Sequence, residues 1–304
     1  MTEENRHEQG SIPVVGRKNL VEKTVLYLKM IKFSHSVFAL PFALTSAFIA
    51  AKGIPEGRTL LWIMVAMVSA RTTAMGLNRI VDRTLDRENP RTARRELPAG
   101  SLTVMETSVF VAIAMLIFEF SAYMLNPLCF KLSFIALFFI VLYSFTKRFT
   151  WASHFVLGIT ISGAPVGAWI AVTGAFEPLI LLLGFSVVFW LAGFDILYAF
   201  QDVEFDRTYG LYSIPLRFGI AKSLWISRVC HACTWVLLVG TGIFFGISFP
   251  YYIGIVITAL LLVYEHSMVR PDDLSKLNKA FFDMNGYISV TVFLFTALSY
   301  AVSP

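Results

Sequence analysis

Nine stretches of about 20 mostly apolar residues punctuate this 304-residue chain, near 33–52, 59–79, 104–125, 128–146, 150–173, 178–201, 223–247, 249–268 and 284–302. No other feature limits the fold so tightly. In lipid every backbone N–H and C=O must find a partner inside the protein, so only helices and closed barrels cross a bilayer. Barrel strands alternate apolar and polar residues over segments of about ten, whereas these runs are continuous. The expected fold is all-α: a polytopic membrane protein of nine transmembrane helices, bundled around a central cavity open to the cytoplasmic side. Composition agrees, at 57% hydrophobic and 15% charged against about 45–50% and about 25% in soluble domains. So few charges cannot cover a soluble globule, and so many apolar residues exclude disorder. Collagen and a disulfide scaffold fall away with 19 Gly, 12 Pro and 3 Cys.

The basic residues orient the bundle. Lys and Arg accumulate in cytoplasmic loops, and of the 25 here, 21 fall in the N-terminal segment and the loops after the second, fourth, sixth and eighth runs. The opposite face receives Lys52, Arg58 and Lys131, and Arg71 lies within a run. The expectation is a cytoplasmic N-terminus and an outside C-terminus, in the plasma (bacterial inner) membrane, with no secretory signal. Residues 18–31 place Leu20, Val21, Thr24, Val25, Leu28 and Ile31 on one stripe, which reads as an interfacial helix on an anionic leaflet. The chain then divides into a cytoplasmic segment, 1–32, and a nine-helix domain, 33–304. Its net charge of +5 is a topology signal, and no nucleic-acid partner is expected.

Acidic residues gather at two matching places. The second run ends in Asn78, Asp82 and Asp86, and the sixth in Asp195, Asp202 and Asp206. Spacings of four and seven residues put each set on one helical face. Asp82 and Asp202 are 120 residues apart, as are Asp86 and Asp206, and a basic, Pro-containing loop follows each stripe. This is a weak internal duplication. Carboxylates so crowded repel unless a cation sits between them. Hard oxygen ligands suit Mg²⁺, which favours a few carboxylates together with phosphate and water, while neighbouring Arg and Lys suit phosphate oxygens. The residues therefore point to a metal–diphosphate site at one face of the membrane.

These residues resemble the UbiA superfamily of intramembrane aromatic prenyltransferases. The resemblance rests on Asn-x-x-x-Asp-x-x-x-Asp from Asn78 and on Asp-x-x-Tyr-x-x-x-Asp-x-x-x-Asp from Asp195. The stretches Asn89-Pro90-Arg91-Thr92-Ala93 through Leu97-Pro98-Ala99-Gly100, and Tyr143-Ser144-Phe145-Thr146-Lys147-Arg148, are similar to its 4-hydroxybenzoate polyprenyltransferase branch. One departure is Asn78-Arg79, where some members carry Asn-Asp. The resemblance implies Mg²⁺-dependent transfer of a polyprenyl group from its diphosphate to an aromatic acid, a 4-hydroxybenzoate or a dihydroxynaphthoate, in ubiquinone or menaquinone synthesis. Asp82, Asp86, Asp202 and Asp206 would hold the metal, supported by Asn78 and Asp195. Arg91 and Lys147, with Arg94 or Arg148, would grip the diphosphate. Tyr143 and Tyr198 would face the allylic cation, and Arg71, two helical turns deeper than Asn78, would meet the acceptor's carboxylate.

Other signals carry less. Cys230-His231-Ala232-Cys233 lies in an apolar run without the partner ligands of a zinc site, and His35 stands alone. Gly163, Pro165 and Gly167 suggest a kink or a close helix approach. The competing function class is a transporter that uses the intramembrane Asp and Arg residues as an ion path. Against it, the Asp clusters lie on one face only.

Overall fold

The computed structural model describes residues 20–31, 39–269 and 284–302. Among the described residues all regular structure is helical. A surface helix, α1 (Leu20–Met30), precedes α2 (Leu40–Ala51) and α3 (Gly57–Val81), and the six-residue α4 (Arg83–Glu88) follows. Next come α5 (Val104–Leu125), α6 (Pro127–Thr146), α7 (Ser153–Thr173) and α8 (Ile180–Tyr198). A 3₁₀ turn (Ala199–Asp202) leads to α9 (Val203–Thr208), α10 (Ile214–Phe218), α11 (Ile220–Phe244), α12 (Phe249–Met268) and α13 (Asn285–Val302). Eight helices among the described residues are long and apolar enough to cross a membrane. The chain is a multi-pass membrane protein. The expected first span, 33–52, is described only from residue 39, as the 12-residue α2. His35 and the charges of residues 1–19, 32 and 270–283 lie outside the described residues.

Local chemistry sets the boundaries. Thr103 and Glu106 form a reciprocal capping box at the start of α5. The Asn126 side chain accepts from the Cys129 backbone N–H, and Pro127 takes the first position of α6, where a missing N–H costs nothing. Pro165 sits inside α7, which nevertheless continues through it to Thr173.

The bundle is arranged around α8, which is apolar on every side up to Asp195 and packs against α7 and α11. Trp190, fully buried, packs between Phe42 (tilted) and Phe194 (edge-on), with ring centroids at 4.9 and 5.4 Å. Outer helices turn Leu116, Phe120, Phe138, Val236 and Val263 outward, as lipid requires. Lipid tails are as apolar as the core, so association rests on close packing rather than on a hydrophobic drive, and small residues let backbones touch. Gly158 of α7 is such a point: a Cβ there would lie 2.5 Å from the Val188 carbonyl oxygen of α8. At Gly193 on the other side of α8, a Cβ would meet the His231 ring of α11 at 2.4 Å.

The α1 helix lies on the loop that joins α4 to α5, with Met30 and Ile31 buried against Leu97 and Leu102. Lys23 pairs with Glu106 at the start of α5. Val21, Val25 and Leu28 are exposed on the other side. Ile31, expected on that same stripe, packs inward.

Candidate active site

A cavity of about 800 Å³ lies between α3, α5, α6, α7 and α8. Its deep wall is apolar, formed by residues such as Phe118, Leu125, Leu132, Phe139 and Ile170. Its charged end sits where two helices break at matching places. Helix α3 stops at Asp82, whose backbone (φ −91°, ψ 6°) leaves the helical region before α4 begins. Helix α8 tightens into the 3₁₀ turn ending at Asp202 before α9 begins. The sequence pattern anticipates unbroken stripes; the structure breaks both, at residues 120 positions apart. Broken helices at corresponding points of two repeats are a known way to line a membrane-embedded polar site.

Arginines cover most of the carboxylates. Arg91 holds Asp202 in a fork, Nε donating to Oδ1 at 3.0 Å and Nη2 to Oδ2 at 2.6 Å, while its Nη1 reaches the Tyr198 hydroxyl at 3.1 Å. Asn89 adds a donor to the same Asp202 oxygen at 3.2 Å. Arg148 donates to Asp82 at 2.8 Å, and the amide of Asn78 donates to the other Asp82 oxygen at 2.8 Å. Arg95 donates to Asp86 at 2.7 Å. Charge-assisted forks of this kind are the strong class of hydrogen bond.

Two oxygens lack a hydrogen bond, one of them (Asp86 Oδ2) with the Arg79 guanidinium 3.9 Å away. Asp86 Oδ2 and Asp206 Oδ2 are buried without a hydrogen-bond partner, a costly state for a carboxylate. Among the described residues, no three His, Cys, Asp or Glu side chains converge as a ready-made metal cluster. The donor set nonetheless fits an oxygen-seeking divalent cation: hard carboxylates, two of them with an oxygen that accepts no hydrogen bond, beside arginines able to exchange a carboxylate for phosphate.

Electrostatics at this end are coupled. Burial pulls the Lys147 ammonium down, but the fields of Asp206, Asp195, Asp202 and Asp82 outweigh it and leave its pKa above the ordinary value. Burial pushes the Asp82 carboxyl up against the opposing pull of Arg148. For Arg91, burial lowers the pKa and Asp202 raises it, with a net upward shift. Deeper in, Asp195 Oδ2 lies 2.7 Å from Nδ1 of His154, and Tyr143, Tyr198 and Arg71 line the walls.

The model of the UbiA prenyltransferase family matches residues 39–289, most of the chain. The chain belongs to the UbiA prenyltransferase family. It is similar to the 4-hydroxybenzoate octaprenyltransferase of Vibrio parahaemolyticus, at 31% identity over 80% of this chain and 85% of that protein. The structure of a UbiA homolog from Aeropyrum pernix, in its apo form, superposes with a TM-score of 0.80 at 28% identity, covering 87% of this chain and 98% of that one. A UbiA homolog from Archaeoglobus fulgidus bound to DMAPP and Mg²⁺ shares the fold, with a TM-score of 0.70 at 19% identity over 91% of this chain and 99% of that one.

This UbiA-family enzyme, a membrane prenyltransferase, brings most of its expected site residues to one cavity. Arg71, Asn78, Asp82, Asp86, Arg91, Tyr143, Lys147, Arg148, Asp195, Tyr198, Asp202 and Asp206 all line it. Arg94 does not: its side chain is exposed, and Arg95, one position on, turns inward to Asp86. The loop after α4 is a chain of tight turns, so neighbouring residues point in opposite directions and spacing alone cannot choose between them. Arg79, a buried residue 3.9 Å from Asp86, reads in the sequence as one more cytoplasmic charge; its position one residue past Asn78 on α3 was the available signal. Asn89 was legible only as a member of the Asn89-Pro90-Arg91-Thr92-Ala93 stretch, and His154, 41 residues before Asp195 and outside every motif, carried no signal.

Proposed function

We propose that this enzyme transfers a polyprenyl group from its diphosphate to a ring carbon of an aromatic acid, a hydroxybenzoate or dihydroxynaphthoate, in quinone synthesis. The observation that carries the reading is the pairing of two broken, aspartate-bearing helices with an arginine cluster on one largely apolar cavity. The charged end suits a diphosphate, and the apolar depth suits an isoprenyl chain. The site faces the cytoplasm in this reading, following the bias of Lys and Arg, and the membrane is the plasma membrane.

Asp82, Asp86, Asp202 and Asp206 would hold Mg²⁺, the ion named with the Archaeoglobus homolog. Bound there, Mg²⁺ supplies charge neutralisation of the diphosphate leaving group. Lys147, kept charged by the surrounding aspartates, grips the phosphate oxygens together with Arg91, Arg95 and Arg148, which exchange a carboxylate partner for phosphate. As the allylic carbon–oxygen bond lengthens, these cations meet the charge growing on the departing diphosphate. Tyr143 and Tyr198 present ring faces to the allylic cation, and the apolar walls keep water from capturing it. Arg71, about 10 Å deeper than Asn78 along α3, takes the carboxylate of the acceptor and turns its electron-rich carbon toward the cation.

The transporter alternative needs an ion path continuing through the bundle, and the deep wall of the cavity offers apolar side chains instead. The test is purified protein with geranyl diphosphate, Mg²⁺ and a panel of hydroxybenzoates and dihydroxynaphthoates. Prenylated product from one class identifies the acceptor. No product from folded protein with either class overturns the reading, and ion or solute uptake in proteoliposomes would then favour a transporter.

A further inference from the structure

His154 occupies the first turn of α7, fully buried, and none of the steps above uses it. A neutral imidazole has one donor and one acceptor nitrogen, and its neighbours decide which is which. The backbone N–H of Ile214 points at Nε2 from 3.3 Å, so Nε2 must offer its lone pair. The proton is therefore on Nδ1, which donates to Asp195 Oδ2 at 2.7 Å. A doubly protonated ring would set Nε2–H against the Ile214 N–H.

The segment that supplies Ile214 is itself pinned to the site. The N–H of Leu211 donates to the Asp206 carbonyl at 2.9 Å, and the N–H of Tyr212 donates to the Lys147 carbonyl at 2.8 Å. One short loop thus ties together the end of α6, the start of α7 and the second aspartate pair. The ring of His154 has no freedom left. Asp195, at the cavity wall with 17% of its side chain exposed, inherits that rigidity.

We infer that His154 is a positioning residue, locked in its Nδ1–H form so that Asp195 stays an anion aimed into the cavity as hydrogen-bond acceptor for the hydroxyl of the aromatic substrate. This rests on the aromatic-acceptor reading above. His154 is no proton relay, because Nδ1 already carries its hydrogen and Nε2 is engaged by Ile214. Its work is orientation and charge. A carboxylate inside a membrane protein is expensive without a donor beside it, and a protonated Asp195 would present a donor where an acceptor is required.

Two measurements test this. Kinetics of His154→Leu, with separate KM values for the aromatic acid and the prenyl diphosphate, should show kcat at least tenfold lower and a raised KM for the acid alone. His154→Asn and His154→Gln each keep an N–H donor and should recover most of the loss. Asp195→Asn combined with His154→Leu should be no worse than Asp195→Asn alone, since the two act as one unit. A wild-type kcat in the Leu variant overturns the inference. So do folded Asn and Gln variants that are both as impaired as Leu, which also decides the matter if the Leu variant fails to fold. The second measurement is independent of activity: ¹⁵N NMR of histidine-labelled protein should show His154 as the Nδ1–H tautomer, and an Nε2–H tautomer overturns it. Inactive wild-type protein with the Nδ1–H tautomer intact would sink the prenyl-transfer reading while leaving the locked ring standing. Active wild-type protein without the variant pattern would sink the role of His154 alone.

Discussion

Gly158→Ala should damage catalysis from a position that touches no substrate. Gly158 lies one helical turn beyond His154 on α7, and the Cβ added there falls 2.5 Å from the Val188 carbonyl oxygen and 2.9 Å from its Cα. These are backbone atoms, so no side chain can swing aside. A carbon–oxygen contact relaxes at about 3.3 Å, which asks α7 and α8 to separate by about 0.8 Å. The same two helices carry the hydrogen bond from His154 to Asp195, now 2.7 Å. Opened by that amount it reaches about 3.5 Å, beyond the range of a good bond. Overpacking of this kind costs about 1–3 kcal/mol, and misplacement near 1 Å can cost about 100-fold in rate. The assay pairs thermal unfolding in detergent with steady-state prenyl transfer. The expected result is folded protein with a lower midpoint, a kcat reduced about 10- to 100-fold and a KM for prenyl diphosphate close to wild type. A variant with wild-type midpoint and kcat would refute the claim that α7–α8 contact sets the geometry of Asp195.

Asp86→Asn and Asp206→Asn each blunt a carboxylate whose free oxygen the cation needs; kcat should fall by about 10²- to 10³-fold with the fold intact, and near-normal turnover at saturating Mg²⁺ would exclude them as ligands. Chelation with EDTA should abolish turnover and added Mg²⁺ should restore it, whereas turnover that survives exhaustive chelation would remove the metal from the mechanism. Arg91→Lys keeps a charge but loses the fork to Asp202 and the contact with Tyr198; losing one charge-assisted bond, about 1.5–3 kcal/mol, should raise the KM for prenyl diphosphate about tenfold or more, and an unchanged KM would refute the diphosphate role. Arg71→Leu should raise the KM for the aromatic acid more than that for the diphosphate, and equal effects on both would sink the assignment of the acceptor's carboxylate.

How much of this was legible before folding depends on the range of the interaction. The apolar runs dictate a helical membrane protein because lipid offers the backbone no other partner, and eight long helices follow them closely. Asn78, Asp82 and Asp86, with Asp202 and Asp206 each 120 residues after its aspartate counterpart, are readable as one polar site since their spacing is a property of the helix. What spacing could not supply were contacts between distant segments. At the break before Asp82 the Val81 carbonyl accepts from Arg148, 67 positions away. The choice of Arg95 over Arg94 depends on how a loop of tight turns meets Asp86. Arg91 finds Asp202 across 111 positions, and His154 acquires a defined tautomer only because the N–H of Ile214, 60 residues later, is folded against it. The sequence alone determined the solvent, the helices and the chemical kind of the site, all set by local periodicity and composition. The tertiary structure decided which charge faces which, because a hydrogen bond within 3 Å is fixed by packing and not by order along the chain.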